Sequence, residues 1–483
     1  MSQILIGQSY YLRFDPKLWA AMQPYPPLGS LYAAAYIRQQ GYEVALFDAM
    51  LAESEAEWEA ALVRHQPEYA VLYEDSFNYL SKMCLLRMRE AAFTMAAAAK
   101  ARGCTVIVSG SDATDHAASY FEHGVDFILI GEGEITLSEL LGQLTGRAPK
   151  PLATIQGLAY PATKTAPRAF ERELDQFPFP AWDLVDIPHY QAIWRERHGY
   201  YSMNMVTTRG CPYRCNWCAK PIYGRRYNSR SPENVVAEMK WLKDNFQPDH
   251  IWFADDIFGL KPGWIEQFSQ LAEAQAAVIP FKCLQRVDLV TEQVAAALAK
   301  AKCQIIWVGA ESGSQKILEA MDKDTQVEQI YLACERLHRH GVKIGFFLQF
   351  GYLGETWEDI QLTLKMVREC QPDDIGISVS YPLPGTKFYD KVKQELGDKT
   401  NWQDSSDLEM LYHGPFVTEF YRELHKRVHY EYRARKAWQQ LKYNLQQPTQ
   451  LRLGQVRQTI AIPLNLVRLV HSMVKLKRLA QAV

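Results

Sequence analysis

The sequence predicts an α/β protein made of a doubly wound domain, a partial (β/α)6 barrel and a helical C-terminal region. Strand-like and helix-like segments alternate over residues 1–145 and again over residues 201–400, and these two alternations predict the first two parts. Beyond Thr400 the alternation stops and long helical patterns follow. A chain of 483 residues is too long for one core, which agrees with several domains.

In residues 1–145, five apolar runs alternate with helical patterns near 31–40, 54–65 and 82–102 and over "EGEITLSELLGQL". This order predicts a parallel sheet with helices on both faces, and such sheets bind ligands beyond the carboxyl ends of their strands. The loops expected there cover residues 25–29, 74–78, 109–115 and 131–134. No G-x-G-x-x-G occurs in this part, so a dinucleotide site is not favoured. The five runs are QILIGQ, EVALFDA, YAVLYED, TVIVSG and DFILIG.

Residues 146–200 are rich in proline and are predicted to be a linker between the domains. Beyond them, about six strand–helix repeats follow one another, which is near three quarters of an eight-unit barrel. One helix of this series begins at Ser231, a candidate N-cap followed by Pro232. Parallel barrels carry function at the carboxyl ends of their strands.

Polar side chains stand at those predicted strand ends, in "FADD", "LQRVD" and "GAESG". Carboxylates there accept hydrogen bonds from ribose hydroxyl or amino groups, and an arginine can hold a carboxylate through two bonds. The alternative for Asp255, Asp288 and Glu311 is a structural role such as capping the next helix. The candidate binding residues are Asp255, Asp256, Arg286, Glu311 and Ser312.

Three cysteines, Cys211, Cys215 and Cys218, lie within "GCPYRCNWC". A structural zinc site needs four protein ligands, and no second cysteine or histidine pair follows at finger spacing. Three thiolates on one loop suit a [4Fe–4S] cluster, which takes one cysteine per iron and here would leave one iron open to a small molecule. Positive charge close to these thiolates comes from Arg209, Arg214 and Lys220.

Composition limits which partners and which cellular compartment the sequence predicts. Lys and Arg number 53 and Asp and Glu 55, so overall charge predicts no nucleic-acid partner. The N-terminus resembles a first strand rather than a signal peptide, and no window is apolar enough for a membrane span. Nine cysteines, an odd number, favour a reducing, cytoplasmic compartment. The six isolated cysteines are predicted to be buried: Cys84, Cys104, Cys283, Cys303, Cys334 and Cys370.

The C-x₃-C-x₂-C spacing, with Trp217 before the last cysteine, resembles the signature of the radical S-adenosylmethionine (SAM) enzymes. In that family the open iron binds the amino and carboxylate groups of SAM, and one electron from the cluster releases a 5′-deoxyadenosyl radical. The resemblance implies SAM contacts from Trp217 and from the "DD" and "GAESG" segments. It also implies an external electron donor such as flavodoxin or ferredoxin.

The segments "PPLGSLYAAAYIRQQGYEV" and "GVDFILIGEGE" resemble the cobalamin-binding domain that precedes the barrel in one large subgroup. The D-x-H-x-x-G motif that supplies a lower cobalt ligand is absent, and Asp112 stands where relatives often have histidine, so the lower ligand stays unassigned. The alternative is a domain that has lost its cofactor. The resemblance implies cobalamin contacts from Pro27, Leu28, Gly29, Ser76, Gly110, Ser111, Asp112, Gly131, Glu132 and Gly133.

The resemblance implies an enzyme that methylates an unactivated carbon of a small-molecule substrate by means of the cluster, SAM and cobalamin. An alternative is the oxidative ring closure of the anaerobic magnesium-protoporphyrin monomethyl ester cyclases, which would suit a large apolar substrate. An alternative of another class is a cobalamin or redox sensor without turnover. RNA modification is disfavoured because no RNA-binding domain is visible, although the tail is basic. The resemblance implies no particular catalytic residue.

The C-terminal tail is basic, because no acidic residue follows Glu431. On a helix beginning at Pro463, a polar side would contain Arg468, His471, Ser472 and Lys475. The hypothesis is that this helix binds an anionic membrane surface, at the inner side of the membrane, or a partner. The alternative is a helix docked on the barrel with its basic side in solvent. The predicted apolar side contains Leu466, Val467, Val470, Met473 and Val474, with Lys477 among them.

Overall fold

The computed structural model of the protein describes residues 3–218, 223–446 and 467–480. The described residues form a seven-stranded sheet, a six-stranded sheet and a two-stranded ribbon, with helices around both sheets. Short 3-10 turns occur at Leu12–Phe14, Leu152–Thr154, Leu174–Gln176, Trp182–Leu184 and Val287–Leu289.

The front sheet has the strand order β2-β1-β3-β4-β5-β6-β7. Strands β1 to β5 are parallel, and β6 and β7 each pair antiparallel with the strand before them. The chain reverses its winding between β1 and β3, so the sheet is doubly wound as predicted. The strands are β1 (Ile4–Gly7), β2 (Val44–Leu46), β3 (Tyr69–Tyr73), β4 (Thr105–Ser109), β5 (Phe127–Leu129), β6 (Leu158–Tyr160) and β7 (Thr163–Lys164).

Helices cover both faces of this sheet. Helices α2 and α8 pack on the face that carries Ile6 and Val71, while α3 and α5 pack on the face that carries Leu72 and Val108. Both sides of the strands are therefore buried, which explains why the strand sequences read as unbroken apolar runs. The helices are α1 (Pro16–Ala21), α2 (Leu28–Gln39), α3 (Ala56–His65), α4 (Tyr79–Met83), α5 (Leu86–Ala101), α6 (Ser111–Asp115), α7 (Ala117–Glu122) and α8 (Gly133–Leu144).

The structure differs from the predicted elements in three places. Helix α2 starts three residues earlier than expected, directly after Pro27. The helix predicted over 82–102 is broken at Cys84, whose φ of 49° is left-handed, so α4 and α5 are separate. The segment treated as a linker contributes β6 and β7 to the front sheet and also forms a helix, α9 (Ile187–His198). Short strands beside proline-rich loops give little periodic signal, which is why the sequence did not reveal them.

The second sheet is a partial barrel of six parallel strands in the order β15-β14-β13-β12-β11-β8. Between its first two strands in sequence, β9 (Thr208–Arg209) and β10 (Asn228–Ser229) form an antiparallel ribbon. The strands of the barrel are β8 (Ser202–Met205), β11 (His250–Phe253), β12 (Phe281–Gln285), β13 (Cys303–Glu311), β14 (Lys343–Phe350) and β15 (Asp374–Val379).

The barrel helices lie outside the sheet, against buried residues such as Ile306, Ile344 and Phe346. Ser231 caps the first of them, as predicted, by accepting a hydrogen bond from the Asn234 amide. The helices are α10 (Pro232–Phe246), α11 (Trp264–Ala274), α12 (Glu292–Lys300), α13 (Gln315–Ala320), α14 (Val327–Arg339), α15 (Trp357–Cys370) and α16 (Lys387–Val392). The six isolated cysteines are buried, as predicted.

The C-terminal region is helical, with a long helix α17 (Thr418–Gln446) and a helix α18 over 467–480. Helix α18 docks on α17 through Ser472 and Leu476, and Lys475 forms an ion pair of 3.2 Å with Glu423. Of the predicted polar side, Ser472 is thus buried and Lys475 pairs with α17, while Arg468 and His471 are exposed. The described residues of the predicted apolar side, Val467, Val470, Met473 and Val474, are exposed. Leu466 and the predicted start at Pro463 lie outside the described residues. None of the described helices is long and apolar enough to span a membrane.

Candidate active site

The carboxyl edge of the front sheet faces the carboxyl edge of the barrel, and two ion pairs join them. The Lys82 ammonium, on α4 after β3, lies 2.8 Å from Asp256, which follows β11. The Arg209 guanidinium, on β9, lies 2.7 Å from Glu134 at the start of α8. The ligand-binding edges of two parallel sheets therefore meet around the loop that contains the three clustered cysteines.

The β9–β10 ribbon closes the base of this cysteine loop, residues 210–227. Gly210 begins the loop with a φ of 83°, and a Cβ atom there would overlap the carbonyl oxygens of Tyr223 and Arg226. Only glycine suits this position, because the left-handed conformation and the close backbone both exclude a side chain.

Asp255 anchors the chain that leads into the loop. Its Oδ1 accepts hydrogen bonds from the amides of Thr207 and Thr208 at 2.7 and 2.8 Å, and both threonine hydroxyls donate to the carboxylate. Burial raises the pKa of Asp255 to about 6, although these four bonds oppose that rise. Asp255 thus anchors this segment, and the helix-cap alternative is wrong because Gly263 is the N-cap of the next helix, α11. The expected contact of Asp255 with SAM stays a prediction.

Asn216 anchors the middle of the loop, and sequence reasoning missed it. Its amide bonds the Met321 carbonyl at 3.0 Å and its side chain donates to the Ala320 carbonyl at 2.8 Å. The Tyr352 hydroxyl donates to the Asn216 side chain at 2.7 Å. A single asparagine between two cysteines has no periodic or motif signal, so only the tertiary contacts reveal this role.

Among the described residues, no three His, Cys, Asp or Glu side chains converge on the position of a single metal ion. Cys211 is buried, and Cys215 and Cys218 are partly exposed. Three cysteines that each hold a different iron of a cubane do not converge on one ion, whereas the ligands of a tetrahedral zinc do. By its chemistry the donor set, three cysteines on one loop, fits a cubane, which takes one cysteine per iron.

Lysines from two directions stabilise negative charge at the loop. Lys82 interacts with Cys218 and Asp256, and together these outweigh its burial, so the pKa of Lys82 is raised. Lys323 interacts with Glu311 and Cys215 in the same way, and its pKa is also raised. Two permanent cations beside thiolate positions suit a cluster unit with net negative charge. Neither lysine was singled out from the sequence, because charged residues on loops are common.

Glu311 and Lys323 form a buried ion pair of 2.8 Å at the end of β13. A Cβ at Gly309 would lie 2.5 Å from both partners, so this glycine makes room for the pair. Glu311 itself has a φ of 55°, a strained value for a non-glycine residue. The prediction that Glu311 contacts SAM stays a prediction, and the pair shows what holds its carboxylate in place.

Arg286 is committed to neighbouring groups. Its guanidinium lies 3.5 Å from the ring centre of Tyr213 in the cysteine loop. It also donates to Asp288 at 2.9 Å and to the Lys323 carbonyl at 3.1 Å. The structure thus shows Arg286 bracing the loop, and it shows Asp288 as the partner of Arg286 rather than as a helix cap.

The other predicted SAM residues differ in what they offer to a ligand. The Ser312 hydroxyl is buried and hydrogen-bonded within the core, to Thr363 and the Ser314 amide. Trp217 lies over the core, and among the described residues its buried indole N–H has no hydrogen-bond acceptor. Asp256 remains partly open to solvent beside Lys82. Of these three residues, Trp217 and Asp256 have polar capacity left for a ligand.

The residues predicted to bind cobalamin converge at the carboxyl edge of the front sheet. The Gly29 amide donates to Asp75 at 3.0 Å, which joins the loops after β1 and β3 at the reversal of strand order. The Ser111 hydroxyl donates to the Lys82 carbonyl at 2.8 Å, which joins the loops after β3 and β4. The loop after β5 approaches them too, because a Cβ at Gly133 would lie 2.7 Å from Tyr73. Pro27, Leu28, Ser76, Gly110, Gly131 and Glu132 belong to the same loops.

Asp112 is held by two neighbouring helices. Its carboxylate accepts a hydrogen bond from the Arg89 guanidinium at 2.8 Å and another from the Tyr120 hydroxyl at 2.8 Å. His116 lies 3.7 Å from the same carboxylate. The carboxylate thus bonds to helices α5 and α7, and the expected contact of Asp112 with cobalamin stays a prediction.

Two family models match the chain. The model of the radical SAM superfamily matches residues 205–367, and the model of the B12 binding domain matches residues 20–141. The first range covers the cysteine loop and β11 to β14, and the second covers β2 to β5 with most of the loops described above.

Curated relatives include an uncharacterized methyltransferase of Pyrococcus horikoshii, 29% identical over 58% of this chain and 61% of the relative. The anaerobic magnesium-protoporphyrin IX monomethyl ester cyclase of Rubrivivax gelatinosus is 27% identical over 57% of this chain and 50% of the relative. The chain thus spans about three fifths or less of the length of these relatives.

Among solved structures, the radical S-adenosylmethionine methyltransferase TsrM from Kitasatospora setae, with cobalamin and a [4Fe-4S] cluster bound, has the same fold. Its TM-score is 0.66 at 17% identity, over 82% of this chain and 75% of that one. The chain thus contains a radical SAM domain, matched over residues 205–367, and ahead of it a B12-binding domain, matched over residues 20–141.

Proposed function

We propose that the protein is a cobalamin-dependent radical SAM enzyme that methylates an unactivated carbon of a small-molecule substrate. The observation that carries the proposal is the meeting of the two carboxyl edges, joined by Lys82–Asp256 and Arg209–Glu134 on either side of the cysteine loop. When bound, the cluster, SAM and cobalamin would supply the radical and the methyl group.

In this proposal Cys211, Cys215 and Cys218 hold the cluster, and Asp255 and Asn216 fix the course of their loop. Asp256, Glu311 and Trp217 bind SAM, with Lys82 and Lys323 holding the two carboxylates in place. The backbone of the loops after β1, β3, β4 and β5 lines the cobalamin site, and its glycines let the backbone approach a ligand closely. The residues keep the reacting groups in line and exclude water.

Anaerobic reconstitution with iron, sulfide and hydroxocobalamin tests this proposal. The absorption spectrum is expected to show both cofactors, and reductant plus SAM is expected to yield 5′-deoxyadenosine. A variant with Cys211, Cys215 and Cys218 changed to alanine serves as the control and should yield none. A cofactor-loaded protein that forms no 5′-deoxyadenosine would instead favour a cobalamin or redox sensor.

Oxidative ring closure is the second candidate, because the cyclase of Rubrivivax gelatinosus is among the relatives. SAM with a deuterated methyl group separates the two reactions. Methylation transfers deuterium to the product, whereas oxidative closure adds oxygen, removes hydrogen and leaves the product without deuterium.

An external one-electron donor such as flavodoxin or ferredoxin completes the proposed cytoplasmic system. With a flavodoxin reducing system in place of dithionite, 5′-deoxyadenosine is expected to form at a comparable yield. A yield that appears only with dithionite would contradict this choice of donor.

Contact with the inner membrane surface belongs to the proposal as well. Helix α18 exposes Val467, Val470 and Val474 at 66, 61 and 49%, and basic residues flank them. Apolar side chains among basic ones suit the interface of an anionic membrane.

Flotation with phosphatidylglycerol-containing vesicles tests the membrane contact. The wild type should float, and a Val470→Asp/Val474→Asp variant should stay at the bottom. Val63→Asp, at another exposed valine, is the matched control and should float. Equal partitioning of all three proteins would remove the membrane contact from the proposal.

A further inference from the structure

The inner wall of the partial barrel is the side of its strands that faces away from the helices. Some of its side chains are exposed, whereas those on the helix-covered side are buried. Side chains alternate along each strand, and on the outward side Ile306, Ile344 and Phe346 are fully buried. On the inward side Phe347 is 38% exposed, although it lies in the middle of β14. Trp307 on the neighbouring strand is also partly exposed. A large exposed aromatic ring inside a sheet marks a surface that a ligand can cover.

Two aromatic rings and two glycines make this wall flat. Trp307 and Phe347 stack with ring centres 4.8 Å apart and planes inclined by 28°. A Cβ at Gly345 would lie 2.6 Å from the Trp307 ring, and one at Gly376 would lie 3.2 Å from the Phe347 ring. The glycines therefore let the rings lie down across β14 and β15, where they form a broad apolar platform.

Three charged side chains share the inward side near the platform: Lys282 on β12, Lys343 on β14 and Asp374 on β15. Lys282 is on the inward side of β12, and its ammonium lies 4.9 Å from the ring centre of Trp252 and 5.5 Å from that of Tyr25. Among the described residues no carboxylate lies within ion-pair distance of it, and burial lowers the pKa of Lys282 to about 8, against the attraction of Asp374. An ammonium held between aromatic faces without an anion is a receptor for one.

We propose that this inner wall binds an apolar ring system that bears an anionic group. The rings lie on Trp307 and Phe347, and the anion pairs with Lys282. This inference rests on the proposed function, because it takes the inside of the barrel as the substrate side of the enzyme.

The register of the sheet sets the size of the ligand. Leu284, two residues beyond Lys282 on β12, pairs with Trp307 on β13. Two residues along a strand and one strand across place the Cα atoms of Lys282 and Trp307 about 8 Å apart. A fused-ring carboxylate with a short side chain has these dimensions.

Equilibrium dialysis of the reconstituted full chain with 1-pyrenebutyrate and 1-pyrenebutanol tests the inference, because the two probes differ only in the anion. The wild type is expected to bind the carboxylate at least about tenfold more tightly. Lys282→Met should abolish that preference, and Lys261→Met, at an exposed lysine in the loop before α11, should keep it. Phe347→Ala should weaken both probes alike.

Equal binding of the two probes by the wild type would overturn the inference, and so would an unchanged preference in Lys282→Met. The comparison of probes within the wild type needs no variant, so a folding defect cannot mask the answer. Formation of 5′-deoxyadenosine is measured on the same preparation. If the protein prefers the carboxylate probe but forms no 5′-deoxyadenosine, the result counts against the proposed function alone. If it forms 5′-deoxyadenosine but binds both probes equally, the result counts against the ligand site on the inner wall alone.

Discussion

At the scale of single residues, neighbours in the sequence have different roles. Asp255 and Asp256 are adjacent, yet Asp255 is enclosed by four hydrogen bonds from Thr207 and Thr208, while Asp256 faces the cleft beside Lys82. Successive residues at a strand end point in opposite directions, so one of the pair becomes an anchor and the other is left for a ligand.

Asp255→Ala is expected to lower the iron and sulfide content of the reconstituted protein by half or more. It leaves two buried backbone amides without an acceptor, which should also cost about 3 kcal/mol of unfolding free energy. Asp255→Asn is the control, because its amide oxygen still accepts the bonds of both backbone amides. Equal cluster content in the alanine and asparagine variants would contradict the anchoring role.

Glu355 makes stability depend on pH. It is buried, accepts a hydrogen bond from the Gly351 amide at 2.7 Å, and burial raises its pKa to about 8. A carboxyl with a raised pKa binds more protons in the folded than in the unfolded state, so its contribution is lost as pH rises through about 8. Glu355→Gln is therefore expected to flatten the fall of the thermal midpoint between about pH 5 and pH 8. An unchanged slope would show that Glu355 does not titrate in this range.

At the scale of elements, glycines decide where a strand can carry a large ring. Gly345 on β14 lies under Trp307 of β13, and Gly309 on β13 leaves room for the Glu311–Lys323 pair. A glycine in a strand weakens the strand locally, so its position is informative when a neighbouring side chain fills the space.

Gly345→Ala is expected to lower the unfolding free energy by about 1–3 kcal/mol, since the added methyl group displaces the Trp307 ring. Gly397→Ala is the matched control, because no atom lies within 4 Å of a Cβ there. The control should stay within about 0.5 kcal/mol of the wild type in urea unfolding. A Gly345→Ala protein as stable as the control would show that the ring does not need the glycine.

At the scale of the whole molecule, the front domain and the barrel are joined by buried charge. Arg209 pairs with Glu134 at 2.7 Å, lies 3.7 Å from Glu132, and stacks 4.5 Å from the ring centre of Phe177. Because Arg209 is two residues from Cys211 and the glutamates border the β5 loop, this contact fixes one cofactor edge relative to the other.

Arg209→Met is expected to cost about 3–5 kcal/mol, because it leaves the carboxylate of Glu134 buried without its partner. The double variant Arg209→Met/Glu134→Met removes both charges and should recover part of that loss. The midpoints of guanidinium unfolding measure the difference. A double variant as unstable as the sum of the two single variants would contradict the pairing.

The doubly wound front domain and the six-stranded barrel could be predicted from the alternation of strand and helix patterns in the sequence. This is possible because parallel strands buried between helices require unbroken apolar runs. The cysteine spacing carried the resemblance to the radical SAM enzymes for the same local reason, since one short loop supplies all three thiolates. Which polar groups already have partners depends on the tertiary structure. Asp255, Arg286 and Asp112 form hydrogen bonds with residues distant in sequence.

The tertiary structure also sets which distant side chains lie opposite one another. Lys82 and Asp256 are 174 residues apart, Arg209 and Glu134 are 75 apart, and the aromatic platform combines separate strands. No pattern within one segment encodes these contacts, because they depend on how the two domains are oriented after each has folded. The same holds for helix α18, whose buried side was set by Glu423 and the surface of α17 rather than by its own amphipathic pattern.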